Sequence, residues 1–312
     1  MKLKNNTLTT TESGVYSMAA TSHRLTWQVM SSLLVIACLY SGKTWSAERV
    51  IPQPESQLAK SITIHYKNLR MGDEIVELSN GSESYWALYQ QNRTASPQGG
   101  ALLIHDQAQT MDWPIMLQEV RTYLPDTGWD TLSITMPEAA DQFVPARAIP
   151  PIPDIFDFNL SFKEQVHSRI DEGINELNQR GIQKIVLIGY GTGSHWAANY
   201  LADKATDNNN AGYALIIIDA REPSNDPVLD LDKDLSTLTI PILDVHFSNS
   251  KFEIQKAKLR KGAILRAGYE NFTQVKEAKL NSEFASGPGR VTRRIWGWLK
   301  TNASDTDENK DL

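Results

Sequence analysis

A single cysteine, Cys38, occurs in 312 residues, and that excludes an intrachain disulfide framework. Histidine is sparse as well. There are six, none lies beyond His246, and no H-x-H or H-E-x-x-H spacing occurs, so the sequence presents no recognisable metal site. Long apolar runs are missing: nothing approaches the ~18–20 residues of a membrane-spanning helix. Nor is there an excess of positive charge. Lys and Arg number 31 against 37 Asp and Glu, and beyond residue 47 the balance is 27 against 36. An acidic body argues against nucleic acid as a partner. What remains, with 41% hydrophobic residues, is a chain able to bury one large core.

The first 47 residues read as an export signal. His23 and Arg24 precede the apolar stretch from Val29 to Tyr40, and Ser41-Gly42 and Lys43-Thr44-Trp45-Ser46-Ala47 follow it. Basic flank, short apolar core and small residues in that order direct a chain into the secretory route. Met18 gives this leader a more ordinary start than Met1. Cleavage near Ser46 or Ala47 releases a cysteine-free chain. Val35-Ile36-Ala37-Cys38 also resembles a lipobox, which would put a lipid on Cys38 as the only membrane attachment. Leu39 and Tyr40 continue the apolar run past the cysteine, which favours simple cleavage. The expected organisation is a signal peptide at 1–47, one domain at 48–300 and an acidic, disordered tail at 301–312, in an exported, periplasmic protein.

Within the domain, Ser61 to Tyr66 alternates like a strand, with His65 an ordinary strand residue, and Tyr85 to Tyr89 forms a second strand after Asn80-Gly81. Ala101 to Ile104, Thr131 to Met136, Ile185 to Ile188, Tyr213 to Ile218 and Ile240 to Phe247 are further strand runs, mostly apolar enough for burial on both faces. Helical patterns lie between them. Asp112 caps a helix with Trp113, Leu117, Val120 and Leu124 on one face. Ser161 and Glu164 make a capping box for a stripe of Phe162, Val166, Ile170, Ile174 and Leu177, ended by Gly181, with His167 off the stripe and exposed. Later come a helix around Ile254 to Arg260, a strand at Phe272 to Val275 and a helix from Val291 to Leu299. There Ile295, Trp296 and Leu299 pack while Arg290, Arg293 and Arg294 stay solvated. Five prolines make 137–160 a long loop, either a lid or a disordered insertion. Alternating strands and helices, antiparallel only near the start, give an α/β class with a doubly wound, mostly parallel sheet.

One stretch bears most directly on function. Ile185 to Ile188 runs into Gly189-Tyr190-Gly191-Thr192-Gly193, and a helical pattern starts at Ser194. Strand, tight glycine turn and helix form the setting of a nucleophile elbow, G-x-S-x-G, whose central serine points its oxygen into the site. Here the central residue is Gly191, which suits a strained backbone and supplies no nucleophile. His105-Asp106 after its strand, Asp112-Trp113-Pro114, Gly128-Trp129, the strand ending at Met136-Pro137, this elbow, and Arg293-Arg294-Ile295-Trp296-Gly297-Trp298-Leu299 follow in order. The set resembles the α/β-hydrolase superfamily, and more closely the exported bacterial family of unknown function DUF3530, over about residues 100 to 300. The resemblance implies a sheet of α/β-hydrolase type.

Hydrolysis by a serine triad needs a nucleophile, a base, an acid to orient the base, and oxyanion donors. Gly191 holds the first place. Thr192 and Ser194 lack the flanking glycines, the acid position after the 240–247 strand falls at Ser248-Asn249-Ser250, and no late histidine exists. In the oxyanion loop many hydrolases carry His-Gly where this chain has His105-Asp106; amides there and at Thr192 still suit a small anion or carbonyl oxygen. His195 reads as a packing or capping residue, and Asp244 with His246, two apart on a strand, as a hydrogen-bonded pair. Another reading, a dinucleotide loop with Asp219 as the ribose-binding acid, is disfavoured by the third glycine, one place out of register with G-x-G-x-x-G, and by export away from NAD. Candidate pocket residues are therefore His105, Asp106, Gly189, Tyr190, Gly191, Thr192, Gly193, Asp219 and His246, with no assigned catalytic residue, metal or cofactor. Two functions stay open: a non-catalytic protein binding a small molecule or an envelope partner, and an esterase-like hydrolase with a displaced catalytic set.

Overall fold

The computed structural model describes residues 61, 64–69, 74–79, 84–107, 109–112, 115–137, 155–205, 212–222, 229–247, 251–278 and 289–303. The expected leader, most of the proline-rich stretch and nearly all of the acidic tail lie outside them. Eight strands form one sheet: β1 (Ile75–Ser79), β2 (Ser84–Gln90), β3 (Gly99–Ile104), β4 (Trp129–Ile134), β5 (Ile185–Tyr190), β6 (Tyr213–Ile218), β7 (Ile242–Phe247) and β8 (Phe272–Glu277). Their order is β1-β2-β4-β3-β5-β6-β7-β8, with only the β1–β2 and β2–β4 pairs antiparallel. The helices are α1 (Ile115–Tyr123), α2 (Ile155–Gln179), α3 (Thr192–Ala205), α4 (Leu231–Thr237), α5 (Lys251–Arg266) and α6 (Arg290–Asn302). This is a doubly wound, mostly parallel sheet of α/β-hydrolase type.

The apolar strand runs explain the layering. Successive side chains of a strand face opposite sides, so Leu187 of β5 enters the core beneath α2, α3 and α4, whereas Val186 and Ile188 enter the one beneath α1 and α6. Both faces are covered, as a parallel sheet requires.

Several expectations need correction. Residues 64–68 are helical, not a strand; Tyr66 is buried there and donates its hydroxyl hydrogen to Asp112, while Ile64 is 59% exposed. The edge partner of β2 is β1, whose mixed, partly exposed Ile75-Val76-Glu77-Leu78-Ser79 gives little alternation to read. Helix α2 starts at Ile155, six residues before the capping box at Ser161, so 155–160 belongs to a helix and not to the loop. On α6 it is Trp298 that is buried with Ile295 and Leu299, while Trp296 is 37% exposed; Arg290, Arg293 and Arg294 stay exposed as expected, with Arg290 and Arg294 reaching Glu277. His167 is half-buried, with Nε2 3.2 Å from Asn199 Oδ1 and its ring edge-on to Trp196 and Tyr200. Helix α2 ends as expected at Gly181, where N–H groups of Gly181 and Ile182 bond to Asn178 and Leu177 carbonyls in a Schellman turn.

Candidate functional site

The site is built where β3 and β5 end beside each other, Ile104 paired with Gly189. Past β5 the chain turns through Gly191 at φ +60° and enters α3 at once. A Cβ on Gly189 would lie 2.5 Å from Gly193 O and Ser194 Cα, so the strand and its own helix touch through backbone. The elbow is therefore present in shape.

Its centre is occupied. A Cβ on Gly191 would lie 2.5 Å from Asp106 Oδ1 and 2.6 Å from Oδ2. The Asp106 carboxylate thus sits where an elbow side chain would project. Thr192 N–H and Thr192 Oγ–H both donate to Asp106 Oδ1 at 2.8 Å, and Gln107 N–H donates to the same oxygen at 3.0 Å and to Thr192 Oγ1 at 2.7 Å. The amide following the elbow residue, together with one from the loop after β3, is the donor pair that binds an oxyanion in hydrolases of this architecture. Here both amides bind an anion from within the chain. Arg221 completes the cage: Nη1 reaches Asp106 Oδ2 at 3.3 Å, while Nη2 donates to Asp219 Oδ2 at 2.5 Å and to the Tyr190 hydroxyl at 3.3 Å. Asp219 ends β6 in a left-handed conformation, φ +49°, uncommon for a non-glycine residue. The Tyr190 hydroxyl is held neutral, its pKa raised by burial and then by the charge of Asp219.

The histidine beside the elbow is not free to act as a base. His105 Nε2 accepts the Met136 N–H at 3.0 Å, so its proton lies on Nδ1, which donates to the Asp106 carbonyl at 2.7 Å. Both ring nitrogens are spent on backbone, and burial lowers its pKa to about 4. Ser194 Oγ, fully buried, donates to Gly189 O at 2.8 Å and is a brace within the turn. His246 does not bond to Asp244. That carboxylate is taken by Arg260 Nε at 3.0 Å and Gln274 Nε2 at 2.8 Å, because the guanidinium offers charge as well as donors. Among the described residues no histidine bridges a hydroxyl and a carboxylate, and no group of three or more His, Cys, Asp or Glu is placed to hold a metal. The sequence thus exposes the missing triad, but not its replacement, and Arg221 escapes it altogether.

Burial also fixes an acid response. His105, His167 and His195 each have a pKa lowered from 6.5 to about 4, first of all by desolvation. Between those values the unfolded chain takes up protons that the folded chain refuses. Their contribution is fully present above pH 6.5 and is lost as pH falls through about 4, on the order of 3 kcal/mol for one such group. Asp234 works oppositely: its pKa is raised to about 6 by burial, so it favours the fold on acidification. Urea unfolding measured across this window should show net loss of stability towards pH 4. His105→Gln, which can keep both backbone bonds, should flatten the slope.

The sheet order and the elbow give the chain a fold of α/β-hydrolase type. The chain belongs to a family described as a protein of unknown function, DUF3530, which matches residues 41–154 and 154–301. No curated protein matches it. Among solved structures it is similar to a putative dienelactone hydrolase from Klebsiella pneumoniae subsp. pneumoniae, at 14% identity over 72% of this chain and 98% of that one, TM-score 0.50. A dienelactone hydrolase from Anabaena variabilis gives 15% identity, 73% and 97%, and 0.53. Est1E from Butyrivibrio proteoclasticus, with ferulic acid bound, gives 11%, 73% and 98%, and 0.52. At these identities the likeness is one of fold. Among the described residues no helix is long and apolar enough to cross a membrane.

Proposed function

We propose that this is an exported α/β-hydrolase-fold protein that binds a small molecule or an envelope partner without hydrolysing it, its oxyanion hole closed by its own Asp106. The observation that carries this reading is the Asp106 carboxylate on the Thr192 and Gln107 amides, in the space an elbow side chain would need. An acyl carbonyl entering the elbow would have to displace an anion held by two amides, a hydroxyl and a guanidinium. Charge-assisted hydrogen bonds of this kind are about twice as strong as neutral ones. The leader at 1–47 supports the exported location.

A second reading draws on the same contact. Thr192 Oγ–H points at Asp106 Oδ1 over 2.8 Å, the geometry of a hydroxyl beside a base, and two of the solved structures of similar fold carry the name dienelactone hydrolase. Those names lie on the side of a hydrolase with a displaced catalytic set. One experiment separates the two: p-nitrophenyl acetate turnover by the purified chain and by Thr192→Val. Closure requires no turnover beyond the buffer rate and no effect of the substitution. Turnover abolished by Thr192→Val establishes the displaced set instead.

A further inference from the structure

Beside the elbow lies a cavity of about 950 Å³, enclosed by the loop after β6, the start of α4, the end of β7, α5 and His195 of α3. Its size is that of a small-molecule site, for which ~300–1,000 Å³ is usual. Leu229, Leu231 and Phe247 supply apolar wall, and Phe252 and Leu259 of α5 are 68% and 51% exposed at its edge. Several of its ionic groups are engaged within the protein. Arg221 holds Asp219, Lys256 holds Glu222, Arg260 holds Asp244, and Asp230 caps α4 by accepting the Lys233 N–H.

Two lining histidines form no hydrogen bond among the described residues. His195 and His246 are 4% and 9% exposed, and among the described residues neither Nδ1 has a hydrogen-bond partner. Neither Nδ1 has accessible surface, so each is sealed in the wall, and Nε2, which has no partner among the described residues, is the nitrogen each ring offers to the cavity. Both rings are kept neutral by burial, with Arg260 adding to the effect. A neutral imidazole offers one donor and one acceptor. A hydroxyl, which is both, matches either tautomer. An ammonium can only donate. A carboxylate can only accept, and it would face five lining carboxylates against three lining cations.

We propose that this cavity binds an uncharged, largely apolar small molecule carrying a hydroxyl group, an alcohol or phenol held by His195 and His246. The assignment deepens the binding reading and rests on it for taking this cavity, not the elbow, as the ligand's seat. The test is fluorescence titration of the full chain with 2-naphthol, naphthalene, 2-naphthoate and 2-naphthylmethylammonium. Saturable 2-naphthol binding is expected, about tenfold tighter than that of naphthalene, the difference one hydrogen bond makes, and tighter than that of either ion. In the His195→Leu, His246→Leu double variant 2-naphthol should weaken about tenfold to the naphthalene level. Naphthalene itself should bind as before, which shows that fold and cavity survive. Equal binding of naphthol and naphthalene, tighter binding of an ion, no binding at all, or full retention by the variant would each overturn the assignment. Ester turnover that depends on Thr192 would instead overturn the closed elbow and leave the cavity standing.

Discussion

Replacing Gly193 with alanine is expected to destabilise the chain by about 3 kcal/mol or more, the upper range for forcing extra atoms into a packed site. The added Cβ would fall 2.6 Å from His105 O and nearer still to Ile104 O. Both are backbone atoms at the end of β3, so neither can rotate away. Relief requires α3 to move off the sheet, and Thr192 N–H then leaves Asp106. Gly297 of α6 is the control, since a Cβ there meets nothing within 4 Å. Gly297→Ala should be neutral or stabilising by up to ~1 kcal/mol through helix propensity. Urea midpoints of the two variants decide the matter. Equal midpoints would mean that the β3–α3 contact is not close.

The second large effect is expected at Arg121, whose side chain is fully buried. Its Nη1 donates to Glu74 at 2.7 Å and its Nε to Asp112 at 3.0 Å, while Tyr66 also donates to Asp112 and Gln90 to Glu74. One guanidinium thus ties the residue before β1, the loop before α1 and the 64–68 helix together. Arg121→Ala leaves two largely buried carboxylates without their cation, a loss of about 3–5 kcal/mol. Arg121→Lys keeps the charge without the planar fork and should recover only part of it. If alanine costs less than ~1 kcal/mol in chemical unfolding, the cluster is not what anchors this edge.

Arg121 also shows where sequence reading stops. It lies four residues after Leu117 and three before Leu124, on the very face those residues bury, yet an arginine reads as solvated until Glu74 and Asp112 are seen to converge on it. The parallel centre is readable because β3, β5 and β6 are nearly continuous apolar runs, and the elbow because three glycines punctuate it. Short elements without such runs are not. Ile62-Thr63-Ile64 alternates locally although residues 64–68 are helical, and the seven-residue α4 has too few turns to establish a period. The site divides the same way. The absent late histidine is a fact of composition, whereas Asp106 meets Thr192 across 86 residues and Arg221 across 115. One sign was present: an aspartate at 106, where hydrolases with His-Gly have no side chain at all, brings a carboxylate into the oxyanion loop.

The closed elbow is tested most directly by the backbone amide resonances of Thr192 and Gln107 during acetate titration of the chain and of Asp106→Ala. In the unaltered protein both amides should stay unmoved, because their acceptor is already in place. In Asp106→Ala both should shift saturably as acetate takes the vacated position, with the rest of the spectrum preserved. Amides that respond equally in both proteins, or a folded variant whose amides do not respond, would contradict an oxyanion hole held shut by the protein's own carboxylate.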